Sequence, residues 1–223
     1  NKKTFNIFDL KESLNFSENS IIGDITKLED LNNIPESDVI INLAAVHRDD
    51  VRPKSLYDKV NVEGSKTICE YAKIKDIRKI IFLSSVAIYG FAKPGTKEDG
   101  EPNYFNDYGR TKFLAEKVYL DWYEEDPINR TLIIIRPTVI FGKGNRGNVY
   151  NLLNQIHKRL FIMVGNGKNI KSMAYVKNIV SFIYFCLSFT KGLHIYNYID
   201  KPDLSMNELI LKIKQVLYGK GRV

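Results

Sequence analysis

Short apolar runs alternate with amphipathic stretches from the start of the chain to about residue 140. β-rich runs occupy Thr4–Phe8, Val39–Leu43, Lys79–Leu83 and Leu132–Ile135. Three of them, "VIINL", "IIFL" and "LIII", are continuously apolar, as strands buried on both faces should be. Between the last three runs lie helical patterns, from about Lys54 to Lys73 and from about Asp107 to Tyr123. Strands alternating with helices predict right-handed βαβ crossovers on a mostly parallel sheet, hence a doubly wound α/β fold.

After Arg136-Pro137 the rhythm loosens. A loop "FGKGNRGN" precedes a helix near Val149–Lys158, and "FIMVGNGKN" predicts a short strand with a turn. A helix near Lys177–Leu187, a strand "HIYNYI" and a last helix near Met206–Leu217 follow. Ser205, with Glu208 three residues on, reads as the N-cap of that last helix. The expected division is a dinucleotide-binding region over 1–140 and a smaller α/β substrate-binding region over 141–223.

Composition adds limits. The 223 residues carry a net charge of +7 from 33 basic and 26 acidic side chains. Basic residues are dispersed in runs no longer than two, which argues against nucleic acid and fits a phosphate-bearing small ligand equally well. The two cysteines, Cys69 and Cys186, fall inside apolar helical patterns. That argues against a disulfide framework or a metal site and points to a reducing, cytoplasmic compartment. The longest apolar run, Ile179–Phe189, is too short to span a bilayer.

Candidate chemistry lies in "YFNDYGRTKFLAEKVYLDW", where Tyr108 precedes Lys112 by four residues. The spacing alone is uninformative, because Tyr71–Lys75 and Tyr89–Lys93 share it. Tyr71–Lys75 closes a helix in a charged turn and reads as a solvated face. Tyr89–Lys93 contains Gly90 and precedes Pro94, so it reads as loop. Only Tyr108–Lys112 opens a helix, with Asn106 or Asp107 as N-cap, so that residues i and i+4 face the same way. An ammonium beside a phenol, together with an oxidised nicotinamide, favours phenolate and draws its pKa down from about 10. Such a phenol can take a proton from an alcohol as hydride leaves the same carbon. Ser84 and Ser85 end the buried run "IIFL", at the strand end where open parallel sheets bind ligands.

In order and spacing, "GDITKLEDL", "VIINLAAVH", "NVEGSKTICEYA", "SSVAIYG", "YGRTK", "RPTVIFG" and "VGNGKNIKSMAYVKNIV" resemble the extended short-chain dehydrogenase/reductases of the nucleotide-sugar epimerase/dehydratase type. The resemblance implies a Rossmann-like fold, a catalytic trio of Ser85, Tyr108 and Lys112, and NAD as cofactor. Asp9, Asp24, Ile25, Leu43, Ala44, Ala45, Asn61, Ser84, Arg136 and Pro137 would line the cofactor with Tyr108 and Lys112. An acid at Asp9 would accept from a ribose hydroxyl and repel a 2′-phosphate, favouring NAD over NADP, although Lys11 nearby weakens that preference. His47, Val86, Arg146, Asn148 and Lys171 would meet a nucleotide-diphospho-sugar substrate. A homodimer is expected through the helices containing the Tyr-Lys motif; Leu114, Val118 and Trp122 lend apolar positions to that contact or to core packing, the expected use of at least two of them.

Two departures from the family pattern matter. The first strand and its glycine-rich turn are not in this string. The expectation is that about 25–30 residues, the length of a βα unit, precede Asn1 and that "LYGKGRV" is followed by more chain. Where the 4,6-dehydratases of the family carry Asp-Glu after the hydroxyl residue, this chain has Val86-Ala87, so dehydration is not expected. The implied activity is NAD-dependent epimerisation at a sugar carbon, C4 first. NAD(P)H-dependent 4-ketoreduction is the alternative, and a non-catalytic cofactor-sensing module is the reading from another class.

Overall fold

A computed structural model describes residues 4–219. It forms two compact units, Asn1–Arg136 with Ser188–Asn197, and Pro137–Leu187 with Tyr198–Val223.

The first unit carries two sheets. β1 (Ile7–Asp9) pairs in parallel with β2 (Ser20–Ile22), a strand not expected from the sequence. After the short helix α1 (Leu28–Leu31), β3 (Val39–Asn42) begins a four-stranded sheet. The expected helix from about Lys54 is three segments: α2 (Ser55–Tyr57), a π-helical turn (Asp58–Glu63) and α3 (Gly64–Ile74). β4 (Lys79–Leu83), α4 (Asp107–Glu124) and β5 (Thr131–Pro137) follow. β3 pairs with β4 and β4 with β5, all in parallel, and Ile80, Ile81 and Phe82 lie opposite Leu132, Ile133 and Ile134.

Burial explains why these runs are strands. All seven positions of β5 are buried, which selects the near-continuous apolar sequence of a strand covered on both faces. On one face Ile80, Phe82, Leu132 and Ile134 form a core with Ile68, Cys69, Tyr71 and Ala72 of α3 and Ala115, Tyr119 and Trp122 of α4. Trp122 is therefore core, and Val118 packs beside it.

In the second unit β6 (Val139–Phe141) is parallel to β8 (Met173–Tyr175), and β7 (Ile170–Lys171) is antiparallel to β10 (Leu204–Ser205). Helices α5 (Asn148–His157), α6 (Val176–Cys186) and α7 (Met206–Tyr218) complete it. β9 (Gly192–Tyr198) pairs with β5, giving the order β3-β4-β5-β9. The capping box at Ser205 and Glu208 is formed in both directions. The strand expected within "FIMVGNGKN" is not there. Ile162 and Val164 are 81% and 90% exposed, turns with positive φ occupy Gly165 and Gly167, and pairing starts only at Ile170.

Candidate active site

β4 ends at Leu83, and the chain passes through Ser84 and Ser85 into a 3₁₀ turn, Val86–Tyr89. Ser85 caps that turn, its Oγ accepting from the Ala87 N–H at 3.1 Å. Asn106, in extended conformation, caps α4 and accepts from the Gly109 N–H at 2.8 Å, so the cap is Asn106 rather than Asp107. A Cβ on Gly109 would stand 2.4 Å from the Ala87 carbonyl oxygen. Glycine at 109 therefore lets the first turn of α4 lie against the 3₁₀ turn, which brings Tyr108 to Ser85.

Tyr108 is half-buried. Burial pushes its phenol above the ordinary value, and a hydrogen bond with the Ser85 side chain draws it partly back. The lowering expected from Lys112 comes, among the chain's own groups, from Ser85. The reason is where the ammonium sits. Lys112 is 2% exposed and its Nζ lies 4.3 Å from the centre of the Phe82 ring. Burial lowers its pKa to about 7, opposed by the negative charge of Glu116 one helical turn away. Among the described residues no carboxylate oxygen lies within 4.0 Å of Nζ, so its N–H groups remain available for a ligand.

Behind this pair is a dry polar cluster. Glu116, 1% exposed, accepts from Arg136 Nε at 2.9 Å and from a terminal nitrogen at 2.7 Å, and also from the Ser84 hydroxyl. Arg136 further donates to the Tyr89 hydroxyl and, at 2.8 Å, to the Glu98 carbonyl. Tyr89 in turn donates to Asn197 Oδ1 at 3.0 Å. The Ser84 hydroxyl and the Arg136 guanidinium are thus both engaged inside the protein. Pro137 is likewise buried within β5.

Asn61 is engaged in the same way. Its Oδ1 accepts from the Val46 N–H at 2.7 Å, and its amide donates to the Val46 carbonyl at 3.0 Å and to Thr111 Oγ1 at 2.9 Å. With both donors used, Asn61 braces the chain leaving β3 against α4. It projects from the π-helical turn, a distortion that recurs at functional sites. Along that exit Leu43 is exposed, Ala44 and Ala45 are half-buried, and the Ala44 N–H is held by Asn42 Oδ1 at 3.0 Å.

Asp9 is exposed at the end of β1, where its carboxylate accepts from the Lys11 N–H at 3.1 Å. Asp24 accepts from both the N–H and the hydroxyl of Thr26 at 2.9 Å. Burial works to raise the Asp24 pKa, but the Thr26 bonds and the Lys59 and Lys27 charges bring it below the usual carboxylate value. Ile25 packs on the core. His47 is exposed and Val86 half-buried. Arg48 forms an exposed pair with Asp50. Arg146 and Asn148 are exposed, and Lys171 half-buried, in the second unit.

Of the two other Tyr-Lys pairs, the first is built differently from the sequence reading, while residues 90–93, within the second, are loop as expected. Tyr71 is core at 2% exposure rather than a solvated face. Tyr89 ends the 3₁₀ turn, buried against Arg136. Glu116, Gly109 and Tyr89 escaped the sequence reading. A carboxylate one turn beyond Lys112, on a helix face that also carries Ala115 and Tyr119, was the available signal for the first.

A protein-family model described as the NAD dependent epimerase/dehydratase family matches residues 2–198. The chain is 47% identical over 220 residues to an N-acetyl-alpha-D-glucosaminyl-diphospho-ditrans,octacis-undecaprenol 4-epimerase of Escherichia coli O157:H7, covering 97% of this chain and 66% of that relative. It is 25% identical over 203 residues to a UDP-glucose 4-epimerase of Vibrio cholerae, covering 86% of this chain and 61% of the relative. Both relatives are thus spanned over less than two thirds of their length. Among solved structures, MoeE5 in complex with UDP-glucose and NAD superimposes with a TM-score of 0.78 at 22% identity, over 94% of this chain and 72% of that one. At that identity the likeness establishes the fold, a Rossmann-like parallel sheet with flanking helices.

Proposed function

Because the chain belongs to the NAD dependent epimerase/dehydratase family, we propose that the protein is an NAD-dependent 4-epimerase of an amino sugar carried on a diphosphate. The observation that carries this reading is the cluster of Ser85, Tyr108 and Lys112 at the end of β4 and the start of α4. Its buried lysine has N–H groups that no carboxylate of the described chain takes up.

The residues present fit the nicotinamide end of such a cofactor. The Lys112 ammonium, dry and available, suits ribose hydroxyls, and the small Ala44 and Ala45 leave room at the end of β3. Bound NAD supplies hydride acceptance and return at one carbon. Tyr108 takes the proton of the C4 hydroxyl as that carbon is oxidised, and gives it back when the opposite face is reduced. Ser85 hydrogen-bonds the reacting oxygen and holds the phenol in line. Lys112 fixes the ribose through its N–H groups. Val86 and Ala87 carry no ionisable group, so the 4-keto sugar is not dehydrated. His47 and Val86 are the candidate substrate contacts of the first unit; in the second unit, taken by itself, Arg146, Asn148 and Lys171 are candidates for binding a phosphate-bearing ligand.

The carrier divides two readings. The 47% relative, named for a diphospho-undecaprenol sugar, favours a polyprenyl diphosphate. The relative from Vibrio cholerae, named for UDP-glucose, favours a nucleotide. Full-length protein with catalytic NAD should convert one carrier form of N-acetylglucosamine to its 4-epimer with no net change in nicotinamide absorbance. Stoichiometric loss of NAD(P)H on a keto-sugar substrate would replace epimerase by ketoreductase, and no turnover of either carrier form would overturn the proposal.

A further inference from the structure

Glu116 stands at a junction of charges that the epimerisation chemistry does not itself require. It joins three elements: α4, which bears it; the end of β4, through Ser84; and β5, through the two-point contact with Arg136. Side-chain exposure in the Arg136–Glu116 pair is 8% and 1%. Such a pair does little for stability compared with apolar packing, so its presence calls for another use. The lysine one turn before it is equally dry, with an aromatic face as its near neighbour.

We propose that Glu116 is a positioning residue of the active site: it fastens the ends of β4 and β5 to α4 and holds Lys112 as a cation where Tyr108 and Ser85 meet the substrate. Arg136 takes up both Glu116 oxygens, and Lys112, one helical turn earlier and equally dry, feels the same carboxylate at longer range. The ionisable groups on the elements packed there are Tyr108, Glu116 and Tyr119 on α4, Arg136 on β5 and Tyr89 of the 3₁₀ turn. β4 offers the Phe82 ring and the Ser84 hydroxyl, and the π-helical turn offers neutral Asn61. The charge of Glu116 raises the lysine's proton affinity, against a burial that lowers it. Without that carboxylate the ammonium would give up its proton at still lower pH. The Ser84 end of β4, next to the capping Ser85, would also lose its tether to α4.

The kinetic part of this proposal rests on the epimerase reading; a spectroscopic arm does not. In the full-length protein labelled with ¹³C-lysine, the Lys112 resonance is identified by its loss in Lys112→Arg. Its titration midpoint is expected to fall by about one pH unit or more in Glu116→Gln. In Glu116→Asp, which keeps the charge but shortens the reach, the midpoint should stay near that of the native protein. Should Glu116→Gln fail to fold, Glu116→Gln/Arg136→Gln leaves no unpaired guanidinium and is expected to show a fall in the same direction, smaller because a neighbouring cation is removed as well. In turnover, Glu116→Gln should lose kcat about tenfold more at pH 8 than at pH 6, with KM little changed. An unmoved Lys112 midpoint would overturn the proposal even in an active enzyme, as would an equal loss of kcat at both pH values. A moved midpoint in a protein that turns over no sugar would leave Glu116 in place and remove the epimerase reading instead.

Discussion

The end of α3 and the start of α4 carry the same four-residue spacing, Tyr71–Lys75 and Tyr108–Lys112, and build opposite things from it. At the end of α3 the tyrosine goes into the core and the lysine, the C-cap, goes out to solvent. At the start of α4 the lysine goes into the dry interior, while the tyrosine stays at the rim beside Ser85. Spacing therefore sets which residues share a helix face, and position relative to the sheet sets what the face does. α4 starts against the turn at the end of β4 because Asn106 caps it there and Gly109 allows the contact. α3 ends at the C-cap Lys75, ahead of the first residue of β4, Lys79.

The sharpest way to break this comparison is to remove the same atom from both tyrosines. Tyr108→Phe is expected to lower kcat by about a thousandfold, within the range for loss of a general acid–base, while leaving cofactor affinity unchanged. Tyr71→Phe should leave turnover within about twofold, since that phenol has no place in the chemistry. Comparable losses in both would mean that the helix end, not the strand end, was misjudged.

A smaller effect separates the two lysines. The folded-state pKa of Lys112 is near 7, below the value of about 10.4 for an unfolded lysine. The folded state thus pays for holding the ammonium below pH 7, and the cost fades as pH rises between the two values. Lys112→Met is therefore expected to stabilise the protein by about 2–4 kcal/mol at neutral pH and by little near pH 10, while abolishing most turnover. Lys75→Met, at an exposed position, should change stability by no more than about 0.5 kcal/mol at any pH. A lower Tm for Lys112→Met at neutral pH would contradict the dry placement of that side chain.

Much of this was legible because local rules and the fold agree. The continuously apolar β4 and β5, the capped start of α4 and the capping box at Ser205 each follow from residues close in sequence. What was not legible shares one cause, that partners distant in sequence decide. Arg136 sits at a strand end and resembles a cofactor contact, but Glu116, 20 residues earlier, claims it. Asn61 has the right chemistry for a ligand, yet Val46 and Thr111 use up its amide. Tyr71 lies in a charged sequence turn but on the face that packs against β4. In "FIMVGNGKN" the β-forming residues are present and no described strand pairs with them, so the run remains unpaired.

The central claim is that one carbon gives up and regains the same hydride at the Ser85, Tyr108 and Lys112 cluster. The direct measurement is turnover by full-length protein of the diphosphate-linked sugar carrying deuterium at C4. The account predicts that the 4-epimer keeps the deuterium at that carbon, with none appearing in solvent. Deuterium washed out into water, with solvent hydrogen at C4 of the product, would contradict it.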